Sequence, residues 1–314
     1  MIVYNNIHGL PLFTNPVITI GTFDGVHTGH QQILQLMKAE AAKVNGETVI
    51  ITFHPHPRKI IKPGEPPIFL LNTLEEKIEL LERSGIDHLV IVPFTEAFAN
   101  QTAEEYIADF LVKTFHPHSI IIGYDHRFGK GRKGNYRLLK EKGSEFNYTV
   151  KEIPAQMLQE VAISSTKIRN SLLNGDIETA TNYLGYPYFF SGKIIEGNKL
   201  GRTIGYPTAN IQIENKDKLI PGNGVYAVEI KIQNPRFEIE NFIGMMNIGI
   251  RPTIGGIDKV IEVNIFDFAD DIYGEILTIT VKKHLRDEKK FSGLEALKSQ
   301  LVKDKKDTIN FFTA

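Results

Sequence analysis

The stretch GTFDGVHTGH, Gly21 to His30, places two imidazoles, His27 and His30, three residues apart around Gly29. An apolar run, Val17 to Ile20, enters it and an amphipathic segment from Gln31 leaves it, so the pattern predicts strand, tight glycine turn and helix start. A helix N-terminus presents unpaired N–H groups and the positive end of its dipole, which together make an anion site. His27 and His30 can share one face of the first turn. Gly29, without a side chain, lets a phosphate approach the backbone. An H-x-x-H alone is also what two surface histidines look like. The strand before it, Phe23-Asp24-Gly25 within it and the helix after it favour phosphate.

Three further stretches carry chemistry. In DHRFGKGRKGN, Asp125 to Asn135, the cations Lys130, Arg132 and Lys133 are spaced by glycines, which suits either a mobile phosphate-binding segment or a solvated turn. In ISSTKIR, Ile163 to Arg169, Ser165 and Thr166 put hydroxyls at a helix cap and Arg169 lies one turn inside. A plain N-cap accounts for the hydroxyls, but with the arginine a polyphosphate is the more economical reading. In GNKLGRTIGYPTANI, Gly197 to Ile211, Thr208 and Asn210 point to one side of an extended segment. A hydroxyl and an amide oxygen so placed can hold Mg²⁺, which takes few protein ligands beside water and phosphate. Glu262 sits on an alternating segment whose Ile261, Val263 and Ile265 would face inward, so alternation alone makes it an outward surface residue.

The elements that must position these groups change character along the chain. Strand patterns at Val17–Ile20, Thr48–Phe53, His88–Val92, Ser119–Tyr124 and Tyr148–Ile153 alternate with helical ones. The first helix carries Ile33, Leu34, Met37, Ala41 and Val44 on one stripe. Capping boxes at Thr73–Glu76 and Thr102–Glu105 open two more, the former with Leu74, Ile78 and Leu81 inward and the latter running to about Phe115. Crossovers of this length suit a parallel sheet, which binds ligands beyond the carboxyl ends of its strands. The HTGH turn, the loop His54-Pro55-His56-Pro57 and the basic glycine loop all fall there. From Tyr188 the pattern becomes six short strands, at about 189–196, 209–213, 224–232, 242–248, 260–266 and 276–283, with glycine turns and no helices between, which suggests a closed barrel. A capping box at Ser292–Glu295 opens a last helix with Leu294, Leu297 and Leu301 as its buried stripe. The expected fold is therefore an N-terminal Rossmann-like α/β domain, residues 1–185, and a C-terminal six-stranded β-barrel with a terminal helix, residues 186–314.

GTFDGVHTGH, TFHPHP, GYDHRFGKGRKG and ISSTKIR, in this order and spacing, resemble the adenylyltransferase module of bacterial bifunctional riboflavin kinase/FAD synthetases. GR-x-x-G-Y-PTANI, GVYAV, NIG-x-RPT, EVNIFDF with IYGE, and LRDEKKF are similar to the riboflavin kinase module of the same family. The resemblance covers essentially the whole chain. It implies phosphorylation of riboflavin to FMN by ATP in the barrel and adenylylation of FMN to FAD, with loss of pyrophosphate, in the first domain. It implies His27 and His30 as catalytic groups of the transferase, with Gly21, Phe23, Gly29, Ser165, Thr166 and Arg169 on the ATP phosphates, and His56, Pro57 and Asp125 on the FMN side. In the kinase it implies Glu262 as general base, Thr208 and Asn210 at Mg²⁺ and ATP, Gly201 and Arg202 over the phosphates, and Arg286 and Phe291 at riboflavin. Three residues depart from the family pattern: His126 and His284 where phenylalanine is usual, and Asn264 where histidine is frequent.

Composition narrows the alternatives. Of the 314 residues 42% are hydrophobic, enough for two cores, and the net charge of −1 offers no global attraction to nucleic acid or anionic membrane, so any phosphate site must be local. Cysteine is absent, which excludes disulfides, thiol nucleophiles and cysteine-bound metals. No apolar run approaches a membrane span and the first residues do not read as a signal peptide, so the expectation is a cytoplasmic enzyme, monomeric or weakly homo-oligomeric. A nucleotidyltransferase with another acceptor would keep HTGH and ISSTKIR without needing Thr208, Asn210 and Glu262. A barrel that only senses flavin or binds nucleic acid would need none of them.

Overall fold

The computed structural model describes residues 1–153, 164–197, 200–234, 241–253 and 256–314. Ile163 of ISSTKIR and Asn198-Lys199 of the glycine-rich stretch lie outside them. The chain divides into two compact units, Met1–Ser165 and Thr166–Ala314.

The first unit is built on a six-stranded sheet, β1 (Ile2–Tyr4), β2 (Val17–Ile20), β3 (Thr48–His54), β4 (His88–Pro93), β5 (Ser119–Gly123) and β6 (Thr149–Ile153), in the order β1-β4-β3-β2-β5-β6. All five pairings are parallel. Strands β2 to β5 are buried almost throughout, which is why they read as continuous apolar runs rather than alternating ones. β1 escapes the sequence pattern because it is short and half exposed. The order reverses between β2 and β5, and the carboxyl ends of these strands carry the HTGH turn and the Asp125 loop. That is the switch point at which open α/β sheets bind ligands.

The helices refine the expectation. The first begins at Thr28, inside HTGH, rather than at Gln31, because the His27 imidazole caps it (Thr28–Lys43). Both predicted capping boxes form, at Thr73 and Thr102. In Leu74–Arg83 the most buried positions are Glu76, Lys77, Leu80 and Leu81, so an acid and a lysine share the inner face with the leucines. The helix after Thr102 runs to Phe115 but widens into a π-helix over Tyr106–Val112. The HPHP segment is only partly loop: His54 ends β3 and Pro57 opens the short helix Pro57–Ile61.

The basic glycine loop is anchored rather than free along its length. Phe128 and Gly134 pair as an antiparallel bridge, the Phe128 ring stacks on Tyr106 at 4.8 Å, and the Lys130 N–H donates to the Gln101 carbonyl at 2.6 Å. Gly134 is required there, since a Cβ would lie 2.3 Å from the Phe128 ring.

The second unit opens within the helix Ser165–Leu173, which is followed by Ile177–Leu184. The six strands that follow, β7 (Phe189–Ile195), β8 (Ala209–Gln212), β9 (Gly224–Ile232), β10 (Asn241–Thr253), β11 (Gly256–Ile265) and β12 (Ile276–Arg286), close into a barrel in the order β10-β11-β8-β7-β12-β9. Tyr188, Phe190, Tyr226, Met246, Val263 and Ile279 are among its fully buried side chains. The terminal helix, Leu294–Thr313, packs on β9, β10 and β12. It departs from expectation twice. Gly293, not Ser292, holds the N-cap and no side chain caps the helix, so the predicted box does not form. The buried stripe is also displaced: Leu294 is 64% exposed, whereas Asp304 and Thr308 are the buried positions.

Candidate active sites

In the first unit the chain leaves β2 through a strained turn. Phe23, Gly25 and Val26 take φ values of 48°, 89° and 36°, and both non-glycine residues are buried. A β-branched residue in that region costs on the order of 1–3 kcal/mol and persists only where its surroundings over-determine it. Here Asp24 supplies the constraint: its buried carboxylate accepts from the Leu71 N–H at 2.9 Å, and its carbonyl accepts from the Ser165 hydroxyl at 2.9 Å. The turn thereby holds Ser165, the last residue of the first unit, against Asp24. Gly21 lies under the Phe23 ring, 3.2 Å from where its Cβ would stand.

His27 ends the turn 7% exposed, and its Nδ1 accepts from the His30 N–H at 3.4 Å. An Nδ1 that accepts carries no proton, so the neutral ring holds its hydrogen on Nε2. The two imidazoles stack at 3.7 Å and 16°, and Phe23 lies 5.0 Å from His30. Burial, the neighbouring His27 and buried Lys77 hold His30 well below the usual imidazole range. His30 is therefore neutral at pH 7 and offers a hydrogen bond rather than a full charge. Its Nδ1 is buried without a protein partner, a cost that a ligand can relieve. Lys77 itself is lowered to about 8 by burial, partly offset by Asp24. Sequence periodicity gives no signal for it, since an ionisable residue on the inner face is read as a break in the stripe.

At the neighbouring strand ends, His56 caps the Pro57–Ile61 helix by accepting from the Arg58 N–H at 3.2 Å, and Asp125 stands exposed after β5. Next to it, burial lowers His126 to about 4; Asp125 opposes the shift, while Arg132 and Arg127 reinforce it. The folded pKa lies below the unfolded one near 6.5, so the unfolded chain takes the proton first and this unit loses stability as pH falls from 6.5 to 4. His126→Phe removes that loss. Differential scanning calorimetry of the full chain is expected to show that lowering the pH from 8 to 5 costs the variant's first-unit transition about 5 °C less than the parent's. Equal losses would mean that His126 does not carry the effect.

In the barrel, register brings the predicted residues together. Glu262 pairs across β11–β8 with Asn210 and across β11–β10 with Asn247. Ile261, Val263 and Ile265 are buried as alternation requires, but Glu262 on the opposite face does not meet open solvent. It lines a cavity of about 370 Å³ together with Thr208, Asn210, Met245, Arg286 and Phe291, roofed by Leu297, Leu301 and Asp304 of the terminal helix. Thr208 also lines a second cavity of about 540 Å³ with Arg202, Phe268 and Asp271. The Arg202 guanidinium donates to the Tyr273 hydroxyl at 3.4 Å. Gly201 lies against the Tyr206 carbonyl, where a Cβ would stand only 2.1 Å away.

Two family models divide the chain: FAD synthetase matches residues 12–167 and riboflavin kinase residues 184–312. A Haemophilus influenzae protein named bifunctional riboflavin kinase/FMN adenylyltransferase is 38% identical over 95% of this chain and 94% of its own. The chain belongs to the bifunctional riboflavin kinase/FMN adenylyltransferase family. The Escherichia coli K12 member is 36% identical over 94% of this chain and 92% of its own. A crystal structure from Streptococcus pneumoniae, described as a macrolide-efflux protein, superposes with a TM-score of 0.85 at 31% identity over 98% of both chains. Among the described residues of the present chain no helix is long and apolar enough to cross a membrane.

Within this family framework, two of the departures have local explanations. Asn264 is buried and donates its amide to the Pro207 carbonyl at 2.6 Å, fixing the PTAN segment. His284 packs between Gly175 and Gly224, where added Cβ atoms would approach its ring to 3.2 and 2.5 Å. In the barrel, the residue that motif reading missed is Asp304. Its carboxylate takes Arg286 Nε at 3.0 and 3.1 Å and Nη2 at 2.8 Å.

Proposed function

We propose how this chain performs its two reactions, riboflavin phosphorylation and FMN adenylylation, with domain limits at 1–185 and 186–314. The pairing of Glu262 with Asn210 beneath one roofed cavity carries the kinase reading. Glu262 takes the proton from the terminal ribityl hydroxyl of riboflavin as that oxygen attacks the γ-phosphorus of ATP. Gly201 and Arg202 lie over the phosphates. Arg286 and Phe291 bound the flavin.

The oxygen donors fit Mg²⁺. Thr208 Oγ1 and Asn210 Oδ1 are hard ligands on one cavity, and the missing side chain of Gly197 leaves the space that the Asn210 amide occupies, 2.0 Å from where a Cβ would stand. Bound Mg²⁺ supplies charge neutralisation at the ATP phosphates. Gly197→Ala tests the cradle: the added methyl meets a side chain rather than backbone, so the barrel folds while Asn210 is pushed aside. Steady-state kinetics are expected to show a KM for MgATP about tenfold higher in the kinase reaction, with FMN adenylylation unchanged.

In the transferase, the FMN phosphate attacks the α-phosphorus of a second ATP and pyrophosphate leaves, with no covalent enzyme intermediate. His27 Nε2–H and neutral His30 donate to the oxygens on which charge grows, at the N-terminus of Thr28–Lys43. Gly21, Phe23 and Gly29 shape the close approach. Ser165, Thr166 and Arg169, carried by one helix, are assigned to the departing β- and γ-phosphates, and His56, Pro57 and Asp125 to FMN. The reading includes a cytoplasmic location, no nucleic-acid partner, and a monomer or weak homo-oligomer.

The test is a time course of purified full-length protein with riboflavin, ATP and Mg²⁺, the flavins being separated by chromatography. FMN rises first and FAD follows. FMN without FAD would give the HTGH unit another acceptor, and no FMN would return the barrel to a binding role.

A further inference from the structure

Arg286 ends β12 beside the roofed cavity, and its hydrogen-bonding fork is largely spent on the protein. Nε and Nη2 donate to the Asp304 carboxylate and Nη1 donates to the Asp287 carbonyl at 3.0 Å. Of five N–H groups, those bonds engage three, one on each nitrogen, so the plane of Arg286 is fixed by protein partners before any ligand arrives. Its plane is set near Phe291, 5.7 Å from the ring centroid.

The carboxylate that sets it is buried: the Asp304 side chain is 2% exposed and that of Arg286 14%. A buried acid on an otherwise leucine-lined stripe is costly unless its geometry is fully satisfied. Here it is, because the Gln300 amide also donates to Oδ1 at 2.8 Å. Phe291, Leu297, Leu301, Met245 and Val225 give the slot apolar walls beside this clamp, while Glu262, Glu288 and Lys289 also line it.

We propose that Asp304 is a positioning residue for flavin recognition: by holding the terminal helix and the Arg286 plane in one arrangement, it fixes the width of the slot that receives the riboflavin ring. The inference rests on the kinase reading above. Asp304 itself need not touch the substrate; it acts through Arg286 and through Leu297 and Leu301, whose helix it ties to β12. Riboflavin affinity should then depend on Asp304, while ATP affinity and the phosphoryl transfer at Glu262 do not.

The experiment is steady-state kinetics of the full chain carrying Asp304→Asn or Asp304→Glu, with FMN adenylylation by the same preparations as the check that the chain is folded. Asp304→Asn is expected to raise the KM for riboflavin about tenfold, with kcat and the KM for MgATP within about twofold of the parent. Asp304→Glu restores the charge and recovers about half of that loss on a logarithmic scale. An unchanged riboflavin KM overturns the proposal, as does a parallel rise in both KM values, the mark of general loosening. If Asp304→Asn does not fold, Gln300→Ala removes only the brace on Oδ1. It should raise the riboflavin KM about threefold, and no change there is equally fatal. Glu262→Gln run alongside separates the two levels. Turnover surviving that change removes Glu262 from the role of base, a failure of the kinase reading that is separate from any effect of Asp304.

Discussion

Glu262→Gln stops FMN formation while FMN supplied directly still becomes FAD. The substitution keeps shape and hydrogen bonding but removes the group that accepts the ribityl proton, and a positioned general base is worth roughly 10² to 10⁴ in rate. The loss should appear in kcat, because glutamine still fills the floor of the cavity between Asn210 and Asn247. Chromatography of riboflavin reactions, with parallel FMN reactions as the control, reads both halves. Riboflavin turnover within a few-fold of the parent would remove Glu262 from the role of base.

His30→Ala gives the converse result. It deletes a neutral donor in the first turn of Thr28–Lys43 and the stacking partner of His27, so transition-state stabilisation falls by about 10² to 10³. FMN then accumulates from riboflavin and FAD does not follow. The imidazole also packs on Phe23, so circular dichroism of the variant belongs beside the kinetics. Loss of both products from a folded protein would show that the two units do not work independently. Because His30 is already neutral, FAD formation should not fall as pH rises from 6.5 to 8, whereas a histidine acting as a cation would lose its charge over that range.

Much of the fold was legible because its strands are pure cases of their type. β2 to β5 are buried on both faces and read as apolar runs, while the barrel strands alternate and are punctuated by glycine. The first helix starts three residues before its apolar pattern does, because histidine is not among the usual capping residues and only the geometry reveals Nδ1 as the acceptor. The two motif clusters located both candidate sites, since a strand–turn–helix and a Thr-x-Asn pair state their geometry locally. Lys77 and Asp304 were not legible. Each is an ionisable residue on an inward helix face, and its partner lies far along the chain: Asp24 for Lys77, and Arg286, eighteen residues before, for Asp304. A periodic reading treats such a position as the end of the stripe, when it is the point where the stripe is pinned.

A closed barrel has no unpaired strand edge, so among the described residues the open edges belong to β1 and β6. β1 spans Ile2–Tyr4, and two of the five residues of β6 are charged, with Lys151 tied to Glu40 of the first helix and Glu152 exposed beside it. Edges that are short or charged are poor templates for added strands. Among the described residues, both edges of the parallel sheet therefore discourage the addition of a further strand through their own length and charge.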